Sequence, residues 1–339
     1  MHATPLPSRI AALGTAAGLA LGLTAAGTPA RAASAAPAAP GTIRYASVQK
    51  CTDKKKGVAV PCGTWRLTLR DGRTVRLPGA RVTPRDANGK TRKNQVAPFA
   101  ISGDGTTVAY FRRRDDRLVV QRLGGEARVL RYTPPKGVGM DLVVLYLSQD
   151  GGRLAVQVDD EPGRRPTLVF DLSGPPGTGP GELPGSLVFQ GFSADGGSLL
   201  TARLSGDHVT RLITFPSEGE GFSVAPPRSV ADDPPYALAA DGRTVAFLSG
   251  SGDQGRLRRY DMESGSTASG PRVRLRDEEI VEAVAWTGET QVTAHVSGPD
   301  KGDRTAVRVL EIDLRGGRAV VRDSYTIGGD VFGYAVRGA

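Results

Sequence analysis

The chain has 339 residues and a formal net charge of +9, from 44 Lys and Arg against 35 Asp and Glu. Its 39% hydrophobic residues, 45 Gly and 24 Pro suit short strands joined by many turns. Two Cys and three His leave little material for a Cys/His metal centre or for histidine-based nucleophilic catalysis.

Residues 1–32 read as a secretory signal. Arg9 ends a short n-region, residues 10–26 form an apolar run rich in Ala, Leu and Gly, and Ala30-Arg31-Ala32 fits small-x-small cleavage. The run is short and soft for a membrane span, and no Cys sits at the cleavage site to carry a lipid anchor. Residues 33–41, rich in Ala and Pro, read as a flexible linker. Loss of the signal removes Arg9 and Arg31 and no acid, which takes the charge from +9 to +7. That surplus suits anionic surfaces such as cell-wall polymers or nucleic acid. It is equally what solvated arginines leave on a protein from an Arg-rich genome.

Three strands are expected next, over residues 42–48, 65–69 and Thr74–Leu77. Between the first two lie Cys51 and Cys62, and an even pair this close in an exported chain points to a disulfide. Beyond them one phrase returns. Ser102-Gly103-Asp104-Gly105, Ser148-Gln149-Asp150-Gly151, Ser193-Ala194-Asp195-Gly196 and Ala239-Ala240-Asp241-Gly242 each precede an apolar run. Their Asp residues are spaced 46, 45 and 46 apart, the length of one four-stranded propeller blade or solenoid unit. Asp-Gly supplies the backbone angles of a tight hairpin.

We label the strands of each repeat A to D. The first full repeat has strands at Phe99–Ile101, 108–111, 118–123 and 127–132, and the second at 142–147, 154–158 and 167–172 with a weaker strand D. The third begins with 187–192, 199–204 and 209–215, and the fourth with 235–238, 245–248 and Arg256–Asp261. The fifth begins with 281–286, 291–296 and 306–314, and Trp286-Thr287-Gly288-Glu289 replaces its Asp-Gly turn. Val331–Val336 is then a lone strand A, and the three strands after residue 42 lack one. Joined, they complete a blade and leave no sheet edge exposed. The expectation is an all-β, six-bladed β-propeller closed by pairing of its N- and C-terminal strands. Seven blades is the alternative, if one is hidden in a stretch read as loop.

These repeats resemble a known family. Ser-x-Asp-Gly before an apolar strand, with strand C closing in Asp171-Leu172, Asp261-Met262 or Asp313-Leu314, is similar to the WD-repeat-like blades of TolB-type propellers. The resemblance covers roughly residues 42–339 and looks like an exported, actinobacterial member. Two departures stand out: the Pro common before the Asp is Gly, Gln or Ala here, and the fifth turn has lost Asp-Gly. The resemblance implies structural roles for the turn Asp residues and a scaffold within a larger envelope assembly. It specifies blades and says little of function.

Antiparallel blades put A–B and C–D turns on one face and B–C and D–A loops on the other. The A–B turns are short and uniform, whereas the B–C loops are long, varied and charged, and function collects on such loops. Candidate binding residues are therefore Lys54, Lys55, Lys56, Arg112, Arg113, Arg114, Asp159, Asp160, Arg164, Arg165 and His208. The competing reading is a set of solvated charges. Seven residues before each turn anchor stand Gln95, Asp141, Ser186 and Asp232, with Glu278 or Glu279 and Asp330 nearby in the irregular copies. Asp141, Asp232, Glu279 and Asp330 are candidate ligands for Ca²⁺ at the channel mouth, the one cofactor considered.

The expected function is an exported, non-catalytic propeller, secreted or held at the cell envelope. It would be a monomer that binds a protein, peptide or cell-envelope ligand through its B–C face. The alternative is a metal-dependent, lactonase-like hydrolase with its site at the channel mouth. Nucleic acid is not expected, because Asp115-Asp116 offset Arg112-Arg113-Arg114.

Overall fold

The computed structural model describes residues 41–159, 165–175, 179–206, 208–216 and 220–338. The expected signal and all of the linker but Gly41 lie outside these residues, as do Asp160 and Arg164.

The chain first lays down β1 (Ile43–Thr52), β2 (Ala59–Leu69) and β3 (Thr74–Leu77). The second blade is β4 (Phe99–Ile101), β5 (Thr107–Phe111), β6 (Leu118–Arg122) and β7 (Ala127–Val129). The third is β8 (Val143–Leu147), β9 (Arg153–Val158), β10 (Thr167–Asp171) and β11 (Gly181–Leu183). The fourth is β12 (Val188–Phe192), β13 (Ser198–Ser205), β14 (His208–Pro216) and β15 (Ser223–Val224). The fifth is β16 (Ala237–Leu238), β17 (Thr244–Ser249), β18 (Arg256–Asp261) and β19 (Thr267–Arg272). The sixth is β20 (Ile280–Trp286), β21 (Gln291–Pro299), β22 (Thr305–Asp313) and β23 (Arg318–Ile327), and β24 (Val331–Val336) follows.

Each blade is a four-stranded antiparallel sheet, and the first has the order β24-β1-β2-β3. The protein is a six-bladed β-propeller. The closing strand pairs Tyr45 with Val336 and Val48 with Gly333, and the Lys50 amide donates to the Asp330 carbonyl at 2.6 Å.

The recurring turn is a compact hydrogen-bonded device. In the second blade the buried Ser102 hydroxyl donates to Asp104 Oδ1 (2.5 Å) and accepts from the Thr107 amide (3.0 Å). Ser148 does the same between Asp150 and the Arg153 amide, and Ser193 between Asp195 and the Ser198 amide. Where Ala239 stands in place of Ser, Asp241 Oδ1 takes the Thr244 amide itself at 2.8 Å. Gly105 has φ +74°, and a Cβ there would lie 2.6 Å from the Ile43 carbonyl oxygen. Glycine is thus required twice over, for the turn and for the close entry of β1. In the sixth blade, without Asp-Gly, Trp286 Nε1 donates to the Ala237 carbonyl of the neighbouring blade (3.1 Å).

Two strand expectations needed correction. The stretch between the expected strands 42–48 and 65–69 is not a long loop: β1 runs to Thr52 and β2 starts at Ala59, so Cys51 and Cys62 sit on facing strands with Cα atoms 5.9 Å apart and are disulfide-bonded. The stretch 235–238 holds only a two-residue strand, because Pro234 and Pro235 have no N–H to give a ladder.

The inner strands line the axis. A small central cavity of about 130 Å³ is walled by residues of β8, β12, β16 and β20 and the turns beside them. The core lies between blades, and apolar clusters fill five of the six seams, from the first–second round to the fifth–sixth. Among the described residues no such cluster bridges the seam between the sixth blade and the first. There Arg44 Nε donates to Asp323 Oδ2 (3.0 Å), Tyr45 stacks on Tyr325 with centroids 5.0 Å apart, and Tyr334 Oη donates to Glu282 Oε1 (3.0 Å).

Candidate binding groove

The expected B–C residues do not gather into one patch. Lys54, Lys55 and Lys56 are exposed at the tip of the β1–β2 hairpin, where Asp53 Oδ1 accepts from the Lys55 amide and left-handed Gly57 closes the turn. Asp159 is placed by its amide, which donates to the Leu142 carbonyl (2.7 Å), and Arg165 reaches the Lys136 carbonyl (3.4 Å). His208 is exposed, with Nδ1 3.5 Å from Asp232 Oδ1.

Arg112, Arg113 and Arg114 are different, because they wall a cavity of about 830 Å³ between the first and second blades. The turn that carries them is stitched to the preceding blade. The Arg113 amide donates to the Gly79 carbonyl (2.8 Å), the Arg81 amide to the Phe111 carbonyl (2.8 Å), and Arg81 also pairs with Asp116. Arg112 Nε donates to Asp115 Oδ1 at 2.9 Å, and this hydrogen bond pulls the Asp115 carboxyl down to about 2. Arg76 on β3 and Arg122 at the end of β6 complete the set, so five arginines line the groove and no carboxylate does. Its floor is apolar. Val75 and Leu77 on β3 face Tyr110 on β5, whose hydroxyl donates to Gln121 Oε1 (2.7 Å). Burial pushes the Tyr110 phenol up. Val75 itself is 37% exposed.

Sequence reasoning missed Arg76, Arg122 and Tyr110. The available signal was Thr74–Leu77, in which Val75 and Leu77 share one face of an outermost strand whose outer side nothing in the repeat covers.

The four candidate calcium ligands are not brought together. Among the described residues no three His, Cys, Asp or Glu side chains converge on a cation site. Three of the four have basic partners of their own. Asp141 Oδ2 accepts from Arg92 Nε (3.1 Å), and Asp232 lies against His208 and Arg228. Glu279 is paired with buried Arg308, which holds its carboxyl below the usual carboxylate range against the opposing effect of burial. Asp330 uses its backbone carbonyl to receive Lys50. The two described histidines lie in separate blades, His208 on β14 and His295 on β21.

The fold and groove define a β-propeller with a basic cleft on its flank. No family model matches the chain, and no curated protein matches it. Solved structures do. A TolB from Agrobacterium tumefaciens is 15% identical with a TM-score of 0.45, over 84% of this chain and 90% of that one. TolB from Acinetobacter baumannii is 15% identical with a TM-score of 0.48, over 87% of this chain and 66% of that one. A chain of a nidogen/laminin complex is 12% identical with a TM-score of 0.43, over 87% of this chain and 97% of that one. An actinobacterial origin finds no support in these likenesses.

Proposed function

We propose that this propeller is an exported, non-catalytic binding protein that holds an extended acidic segment of a partner protein along the groove between its first and second blades. The observation that carries the reading is the lining: five arginines above an apolar floor, of which Arg112 and Arg114 share Asp115 while Arg76, Arg113 and Arg122 have no ion-pair partner among the described residues. Guanidinium groups recognise carboxylates in forked geometry, and the floor would take alternate apolar side chains of an extended strand. The bonds from the 78–81 segment to the β5–β6 turn hold the arginines in place before any partner arrives, which lowers the ordering cost of binding.

Export is supported by the Cys51–Cys62 disulfide, which persists in oxidising compartments. No helix among the described residues is long and apolar enough to cross a membrane. The non-catalytic reading is supported by the separation of the two described histidines and by the ion pairing of three of the candidate carboxylates.

The test is fluorescence anisotropy with a labelled peptide of alternating Glu and Leu, and a Lys/Leu peptide as control. The acidic peptide should bind, weaken with salt, and lose about tenfold or more of its affinity in the variant Arg112→Ser/Arg113→Ser/Arg114→Ser. The variant Lys54→Ser/Lys55→Ser/Lys56→Ser should bind as the parent does. Equal binding by parent and arginine variant would overturn the groove as the site.

A further inference from the structure

The seam between the sixth blade and the first holds a second cavity, of about 410 Å³, apart from the arginine groove. Three buried nitrogens at this seam have no hydrogen-bond partner: His295 Nδ1, Arg337 Nε and Arg70 Nε. All three side chains line the cavity. His295 is only 5% exposed and Arg337 only 7%. The three come from different places in the chain: His295 from the middle of β21, Arg337 from just after β24, and Arg70 from the turn after β2. They are nonetheless close enough to act on one another. Burial first, and then the charges of Arg337 and Arg70, push His295 down to about 3, and burial and Arg70 push Arg337 down to about 10. Proteins pair nearly all buried polar groups, so three open donors or acceptors around one cavity are unusual.

The charges leave a remainder. The lining holds Arg70, Arg322 and Arg337 against Asp104 and Glu311, with His295 neutral, a surplus of one positive charge. Arg322 and Glu311 answer each other at 3.1 Å. Asp104 is occupied within its own turn by Ser102 and Thr106. Arg70 has only a 3.7 Å contact with Asp323, which Arg44 already engages at 3.0 Å. The unanswered cation is therefore on the Arg337–Arg70 side, beside His295. Hydroxyls also line the cavity, with Thr287 Oγ1 and Thr293 Oγ1 3.0 Å apart. The volume is in the range of small-molecule sites and far exceeds the need of a lone ion.

We propose that this seam cavity is a binding site for a small polyhydroxylated carboxylate of the sugar-acid class. The single carboxylate answers Arg337 and Arg70, and the ligand's hydroxyls reach His295 Nδ1 and the Thr287–Thr293 pair. A monoanion matches the surplus of one charge, whereas a phosphate monoester, close to doubly charged at neutral pH, exceeds it. The site stands independently of the acidic-peptide groove, with which it shares no lining residue.

The probe is sodium glucuronate, titrated into the full folded domain at constant ionic strength and followed by calorimetry and thermal melting. Glucose, acetate and phosphate are the comparison arms. Glucuronate should bind with about millimolar affinity or better and raise the melting temperature, with each comparison ligand at least about tenfold weaker. Arg337→Gln should weaken glucuronate binding about tenfold or more, and Arg112→Ser should leave it unchanged. Should Arg337→Gln fail to fold, Thr287→Val provides the second variant, with a smaller loss expected. The His295 imidazole resonance of the parent protein should move during the glucuronate titration alone. Absence of glucuronate binding, equal binding of phosphate or glucose, or binding indifferent to both variants would overturn the proposal.

Discussion

Acidification should expose the state of His295. This side chain is buried at the sixth–first seam, and burial together with Arg337 and Arg70 pushes it down to about 3. In an unfolded chain the same imidazole titrates near ~6.5. The folded value is depressed, so as the pH falls the unfolded state takes up the proton first. Stability is therefore intact above about pH 6.5, declines as the pH drops through it, and stops declining only below about 3. Each unit of difference is worth about 1.4 kcal/mol, so going from pH 6.5 to about 4.5 costs roughly 2–3 kcal/mol on this account alone. Urea unfolding followed by the fluorescence of buried Trp65 and Trp286 supplies the assay. The parent and His295→Gln should be compared at several pH values between about 7 and 4.5. Carboxylates held down by their partners, such as Asp115 at about 2, penalise both proteins alike, so the difference between the curves isolates His295. The parent should lose roughly 2–3 kcal/mol more than the variant over this range. Parallel curves would refute the reasoning, since they would mean that the imidazole is protonated equally readily in both states.

Two further outcomes follow from the turns and loops. Ser148→Ala removes a buried hydroxyl that serves Asp150 and the Arg153 amide, and should cost about 1–2 kcal/mol in urea unfolding, while Ala239→Ser in the sister turn should change stability by less than ~1 kcal/mol. Glu279→Ala leaves Arg308 buried without its carboxylate and should cost about 3–5 kcal/mol, whereas the double replacement Glu279→Met/Arg308→Met should recover most of that loss.

Legibility from sequence followed the range of the interactions. The Ser-x-Asp-Gly turn closes within six residues, from Ser102 to Thr107, so its chemistry is local and the repeat displays it directly. The place of the Val331–Val336 strand beside β1 followed from counting strands, because the three strands after residue 42 lacked a strand A. The channel-mouth carboxylates misled for the opposite reason. Arg92 lies 49 residues from Asp141 and Arg308 lies 29 from Glu279, so no local pattern revealed that these acids were already answered. The groove was half visible. Arg112 to Arg114 form a run, but Arg76 and Val75 sit on a different blade and join them only through the packing of adjacent sheets. The seam cavity could not be read at all. Arg70, His295 and Arg337 are each unremarkable in sequence, and only closure of the ring places them together.

That closure also determines how the molecule would answer force. Tyr45, near the start of β1, lies opposite Val336, the last residue of β24. Tension applied through the backbone on the two outer sides of this pair loads one rung of the ladder at a time, as in opening a zip, instead of sliding six residues past each other at once. The closed ring would thus part with modest pull, beginning at the blade made from both ends of the fold.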